Sequence, residues 1–449
     1  MNENKMGVQP ISKLLISMSL PIMLSMLVQA FYNIIDSMFV AKLSEDALTA
    51  VSLVFPIQNL MIAFAAGTGV GMNALLSRHL GEKKEEDANI TAKNGVLLSL
   101  VNFVLFAILG IFFSELFMKS QTSNPDILRM GKEYMMVVTI FSFGIFVEIC
   151  FERLLQSTGR TIYTMYTQGV GAILNIIFDP LLIFGIGPFP KMGVTGAAVA
   201  TVFGQIVAML LGIYFNHFKN PEINLSIRNG FKPDKATILT IYKVGLPAIV
   251  MQSVGSVMVF GMNKILMAFS STAAAVLGVY FKLQSFVFMP IFGLNNGMIP
   301  IIAYNYGAKK KKRITSTIKI SVLLAAGIMV IGLIFFQFGS SIALRGLFSA
   351  SDHMVEIGVP ALRIISISFL FAGFNIIVTA VFQALGNGIY SLIISIVRQL
   401  VFLLPLAYIF SKAFGLHYVW WAFPLAEVVA IILCALMLKH IYKTMIKPL

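Results

Sequence analysis

Charge is scarce in this chain. Only 12% of its 449 residues are Asp, Glu, Lys or Arg, about half the share of a typical soluble domain. That excludes an ordinary water-soluble fold, whose surface has to be polar. Cysteine is scarcer: Cys150 and Cys434 both lie in apolar runs, which excludes a disulfide framework. The five histidines (His79, His217, His353, His417, His440) fall at helix ends or loops without the spacing of metal ligands. No GxxxxGK[ST] segment is present to cradle ATP phosphates, and there is no HExxH or nucleophile elbow. With neither a nucleophile nor a metal constellation, no enzyme and no cofactor are expected.

What the chain has in abundance is apolar length. Twelve runs follow one another: roughly 14–40, 47–77, 90–118, 126–156, 162–186, 193–217, 237–267, 273–302, 314–341, 353–384, 389–412 and 416–443. Each approaches or exceeds the ~20 residues a helix needs to cross a bilayer. Their continuity favours helices, which satisfy their own backbone in lipid, over the alternating strands of a barrel. The predicted fold is an all-α membrane protein of twelve transmembrane helices. No signal-peptide pattern with a cleavage site opens the chain, so the first run is expected to remain.

A net charge of +14 would suggest a nucleic-acid partner in a soluble protein, but here its distribution follows the loops. With the N-terminus inside, inner segments carry 22 Lys and Arg, among them Arg228 and Lys232, against seven in outer segments. The bias places both termini in the cytoplasm. Contact with anionic lipid is a lesser possibility, and nucleic acid is not an expected partner.

The stretch from Pro21 to Lys84 occurs twice. Shifted by 226 positions, Pro21 falls on Pro247, Gln58 on Gln284, Gly67 on Gly293, Gly71 on Gly297 and Gly81 on Gly307. Further on, Gln156 and Gly159 match Gln383 and Gly386 at a shift of 227. The polar segment 218–236, with Pro221 and Pro233, separates six runs from six. The domains predicted are an N-terminal lobe, 1–217, a cytoplasmic linker, 218–236, and a C-terminal lobe, 237–449. An even number of helices per half makes the repeats parallel, as in secondary transporters that handle substrate between their halves. Two six-helix bundles in a V-shaped pair are expected. The chemistry of the halves differs, because Asp36 in the first copy is Met262 in the second.

Ionisable residues inside a membrane are functional candidates. Asp36 and Asp179 each lie within about two helical turns of an outer end, and Thr201 lies about two turns from the outer start of its helix. Asn175 shares a face with Asp179 one turn deeper. Pro180 donates no backbone hydrogen bond, which frees the Ile176 carbonyl. Two carboxylates, an amide, a hydroxyl and a loose carbonyl can meet at one level, as a site for a hard cation or a carboxylate pair sharing a proton. Glu148 and Glu152, one turn apart beside Arg153, are expected to be a cytoplasmic charge latch or a solvated helix end. Lys282, Arg363, Arg398 and Glu427 fall near mid-depth, with Glu427 expected to pair with Arg398 or Lys282.

LPIMLSMLVQAFYNIIDSMFVAKL, GxxxGMNALLSRHLGEKK, LLQSTGR, NIIFDP, GVTGAAVAT and VWWAFPLAE occur in this order along the chain. Together they resemble the multidrug and toxic compound extrusion (MATE) transporters, in particular the bacterial DinF-like and MepA-like branch. The resemblance implies a bacterial inner-membrane antiporter, acting as a monomer, that exports cationic and amphipathic drugs in exchange for Na+ or H+. It places the coupling cation at Asp36, Asn175, Asp179, Ala197 and Thr201. Members that bind a cation in the C-terminal half carry acids on helices 7 and 10. Here Asn263, Lys264, Arg363 and Asn375 stand instead, which implies coupling in the N-terminal lobe. The alternative is a flippase for lipid or lipid-linked saccharide, kept open by Lys282, Arg363 and Arg398.

Overall fold

The computed structural model describes residues 4–226, 232–348 and 350–449. Arg228, counted above among the inner charges, lies outside them. Among the described residues the regular structure is all helical. A single turn, α1 (Lys5–Val8), precedes α2 (Ile11–Ala41), α3 (Glu45–Gly81) and α4 (Glu85–Gln121). Next come α5 (Pro125–Ile140), α6 (Phe143–Ser157), α7 (Thr161–Phe184) and α8 (Val194–Lys219). The second repeat runs α9 (Lys235–Met267), α10 (Ser271–Gly307), α11 (Lys311–Phe348), α12 (Asp352–Ser366), α13 (Phe369–Ala384) and α14 (Gly388–Ile396). A π-helical segment, Val397–Leu403, then leads into α15 (Leu404–Ala413), α16 (Leu416–Val419) and α17 (Ala422–Ile441), and a second π segment, Tyr442–Ile446, follows.

Among the described residues ten spans are long and apolar enough to cross a membrane, and the bent pairs α5–α6 (43°) and α12–α13 (50°) bring the number to as many as twelve. The runs 126–156 and 353–384, read as continuous, are thus each broken once. Both breaks fall at the same repeat position, Phe141–Ser142 and Ile367–Ser368. α3 and α10 also end alike. Lys83 (φ 59°) and Lys309 (φ 56°) take the left-handed backbone that glycine usually supplies at a helix end. In each turn the next amide reaches back to the helix, Lys84 to the His79 carbonyl (2.9 Å) and Lys310 to that of Asn305 (2.8 Å). A lysine here sets positive charge at the negative end of the helix dipole.

The chain packs as two compact units, one of Leu24–Ile249 and the other of Met1–Met23 with Val250–Leu449. The predicted lobes divide the chain in the linker, whereas the packing units divide it inside α2 and α9, at positions related by the 226-residue shift. Small residues explain this. In the first unit Gly67 and Gly71 lie so close to Gly245, Ile249 and Ile241 that an added Cβ would meet backbone oxygens at 2.8 and 2.1 Å. In the second, Gly293 and Gly297 lie equally close to Met23 and Ser19. A glycine every fourth position lets helix backbones approach this nearly. Each repeat's second helix therefore packs on the opening half-helix of the other repeat.

The described parts of the linker are anchored rather than loose. The Asn224 amide donates to Asn89 Oδ1 at 2.7 Å, and the Asp234 amide to Asn94 Oδ1 at 3.1 Å. Asp234 then caps α9 by accepting from the Thr237 hydroxyl and amide. Those donors hold its carboxyl below the usual carboxylate range.

Candidate functional site

Within Leu24–Ile249, α7 and α8 pack along a stripe of small residues. Gly196, Ala200, Gly204, Ala208 and Gly212 recur at every fourth position of α8 and are buried. A Cβ on Gly204 would sit 2.7 Å from the Gly171 carbonyl oxygen and 3.6 Å from the Asn175 Cβ, and one on Gly196 would sit 2.6 Å from that of Leu182. This contact sets how Asn175 on α7 meets Thr201 on α8. With its amide turned to satisfy both ends, Asn175 donates to Asp179 Oδ2 at 3.2 Å. Its oxygen accepts from the Thr201 hydroxyl at 3.2 Å and from the Thr201 amide at 3.1 Å.

Asp179 is completely buried, and Asn175 and Thr201 are 3% and 8% exposed. Asp36, brought in by α2, stands beside Asp179, close enough for the two carboxyl groups to act on each other. Two carboxyl groups so close repel when both are charged, and a proton or a cation shared between them relieves that repulsion. The Asp36 Oδ1 atom is buried and has no hydrogen-bond partner. The structure thus brings Asp36, Asn175, Asp179 and Thr201 into one cluster. Ala197, one turn before Thr201 on α8 and with only a methyl group to offer, belongs to a buried apolar cluster with Val40, Ile183 and Val194. Pro180 sits inside α7 without ending it, one residue past Asp179.

The cluster supplies oxygen ligands of the hard type and suits either a proton or a small hard cation. Among the described residues no group of three or more His, Cys, Asp or Glu could hold a metal ion. Tyr32 and Tyr134 lie within electrostatic reach of both aspartates, and the Gln58 amide donates to the Tyr134 hydroxyl at 3.2 Å. Neither tyrosine is singled out in the sequence, and Gln58 only as a matched position of the repeat. Tyr32 could have been, standing one turn before Asp36 on the same face. Tyr134 and Gln58 come from other helices and leave no local signal.

The stripe gives a direct expectation. Gly204→Val would drive a side chain into the Gly171 backbone, which cannot yield cheaply, at a cost of about 1–3 kcal/mol. The melting temperature in detergent should fall by several degrees and gradient-driven transport should drop with it. Gly169→Ala, whose Cβ would meet nothing within 4 Å, should change neither.

Glu152 and Arg153 are 3% and 8% exposed, which overturns the reading of this region as a solvated helix end. Glu152 accepts from the Thr167 hydroxyl at 2.7 Å and the Gln168 amide at 2.8 Å, while Arg153 donates to Gln156 Oε1 at 2.9 Å. The carboxylate therefore ties α6 to α7. Glu148 is partly buried, and Arg160 approaches Glu222 of the linker at 3.9 Å.

In the other unit the four mid-depth residues separate. Arg398, at the start of the first π segment, donates to Glu427 Oε1 at 2.7 Å, and Asn375 donates to Glu427 Oε2 at 2.6 Å. Arg363 is exposed and donates to the Gln337 carbonyl at 2.9 Å, and Lys282 is exposed. Met262, which stands where the first repeat has Asp36, is fully buried.

The MatE family model matches residues 21–181 and 247–409, one stretch in each repeat. The multidrug export protein MepA of Staphylococcus haemolyticus is 28% identical over 421 residues, covering 93% of this chain and 91% of that protein. A protein of Shewanella oneidensis named FAD transporter is 27% identical over 437 residues, covering 96% and 95%. A solved outward-facing multidrug resistance MATE family transporter of the MOP superfamily superposes with a TM-score of 0.91 at 27% identity, covering 99% of each chain. With a family model spanning both repeats and solved relatives matching end to end, the chain belongs to the MatE family, the multidrug and toxic compound extrusion transporters.

Proposed function

We propose that this protein is a cation-coupled antiporter that exports bulky cationic and amphipathic compounds as H+ or Na+ moves inward. The observation that carries the reading is the contact between Asp36 and Asp179, buried among membrane-spanning helices. Stripped of a shared proton or cation, the two carboxylates repel, which favours separating α2 from α7. Loading restores the contact. A cation bound more tightly by one arrangement than the other biases the equilibrium by that difference alone. One charge moving through ~100 mV supplies about 2.3 kcal/mol, enough for roughly a 45-fold gradient of an uncharged cargo. A singly charged cationic cargo cancels that contribution and draws on the concentration gradient of the coupling ion. The direct carboxyl contact favours the proton over Na+.

The excess of Lys and Arg in the inner loops supports an inner-membrane protein with cytoplasmic termini. The complete cluster on one chain supports a working monomer. No covalent chemistry belongs to the reading, and Glu152 with Arg153 serves as a latch between helices. MepA as a relative supports drugs as cargo. The exposed Lys282 and Arg363, with a relative named FAD transporter, support a second reading in which the cargo is anionic, a flavin dinucleotide or a lipid-linked saccharide. Inverted vesicles given either a pH or a Na+ gradient decide between them. Movement of ethidium or a quaternary ammonium dye under one gradient is expected. No dye movement under either, with flavin dinucleotide carried, would replace the first reading by the second.

A further inference from the structure

The second unit holds an apolar groove that plays no part in the transport reading. α11 and α17 both pack on α13, and the groove runs between them with Phe374 of α13 among its lining residues. Val322, Ala435 and Leu438 line it too, and Tyr442 and Ile446 of the second π segment bound one end. Counted together with the solvent space at its open side, the groove measures about 1190 Å³. From Thr315 to Leu323 it follows α11 for about 12 Å at 1.5 Å per residue. That length accommodates the upper part of one acyl chain lying along the helices.

Two lysines interrupt this apolar lining, Lys319 from α11 and Lys439 from α17. Lys319 is in the third turn of α11 and Lys439 in the last turn of α17, so both stand near the same end of the bundle. Both are exposed, with flexible stems that can carry their amines to headgroup level. Among the described residues neither forms an ion pair with an acid. From Val250 to Leu449 the sequence has only three acidic side chains, Asp352, Glu356 and Glu427. Asp352 pairs with Arg345 at 2.9 Å, and Glu427 with Arg398. Lys443 adds a third exposed cation one turn past Lys439. Beyond the groove, Lys311 at the start of α11 donates to the Lys447 carbonyl at 2.9 Å.

We propose that this groove binds an anionic phospholipid, one acyl chain lying between α11 and α17 and the headgroup phosphate held by Lys319 and Lys439. Basic pockets between transmembrane helices take anionic headgroups in this way. The site also gives the unit's surplus of lysine over acid a use beyond orienting the chain. The proposal rests on the membrane-spanning fold and not on the transported cargo.

The test is native mass spectrometry of the whole protein, offered equal dioleoyl-phosphatidylglycerol and dioleoyl-phosphatidylcholine in mixed micelles. Wild type should retain the anionic lipid over the zwitterionic one by roughly 10- to 30-fold, the increment two lysines near a headgroup provide. Lys319→Gln with Lys439→Gln should bring the ratio to about twofold or less by removing both charges. Ala435→Trp, at an exposed position, should lower total retention by filling the groove with the lysines intact. Lys412→Gln, away from the groove, should behave as wild type. Equal retention of both lipids by wild type, an unchanged ratio in the double variant, or full competition by glycerol phosphate without acyl chains would each overturn the proposal.

Discussion

Asp179→Asn is expected to leave the protein folded and to abolish gradient-driven dye efflux, reducing it at least about 100-fold, to the level seen without a gradient. The reasoning is electrostatic. Asn cannot change charge, so neither a proton nor a cation alters the balance between separated and joined α2 and α7. Asp36→Asn should have the same effect, because each carboxyl is the other's partner. The double variant should be no worse than either single one, since groups acting as a unit are not additive. A merely structural role predicts something else, so dye binding has to be measured alongside. Wild-type affinity should weaken as pH falls, because loading the cluster opposes cargo binding by linkage. In either variant that dependence should be flat while affinity stays within about threefold of wild type. Gradient-driven efflux surviving in Asp179→Asn would remove the carboxyl pair from the mechanism.

The second large effect is expected in the other unit. Glu427→Leu leaves the Arg398 guanidinium without its carboxylate in a site where the two side chains are 25% and 12% exposed. Stranding one member of a fully buried pair costs about 3–5 kcal/mol, and partial exposure here should bring that to ~2–3 kcal/mol. Adding Arg398→Leu should recover most of the loss, because both charges then leave together. A thermal-denaturation cycle over the four proteins measures the coupling. Should the single variant be as stable as wild type but fail to move cargo, Glu427 contacts substrate instead.

Much of this was legible beforehand because bilayer and helix impose simple rulers. Counting residues from helix ends set Asp36, Asp179 and Thr201 at one level, and the four-residue spacing set Asn175 beneath Asp179. Depth, however, is only one coordinate. Lys282, Arg363, Arg398 and Glu427 share it, yet only the last two meet, because which way each helix faces depends on its packing. Glu152 shows the same limit. An acid next to an arginine near a helix end reads alike whether it meets water or, as here, Thr167 and Gln168 of a neighbouring helix. Ala197 reads as a member of the cation site through likeness to other chains, whereas its methyl sits in an apolar cluster. The glycines at 67, 71, 293 and 297 read only as matched positions of the duplication, because the half-helix each closes on is 170 or more positions away in the chain.

That exchange of opening half-helices bears on how the molecule can be cut. Severing the gene in the linker would yield two polypeptides, neither of which encodes a whole packing unit. The first would lack the strip around Ile241, Gly245 and Ile249 on which its own Gly67 and Gly71 close, and the second the strip around Ser19 and Met23 needed by Gly293 and Gly297. Co-expressed, the two fragments should therefore recover activity only by lending each other these strips, whereas either one alone keeps a bared glycine seam.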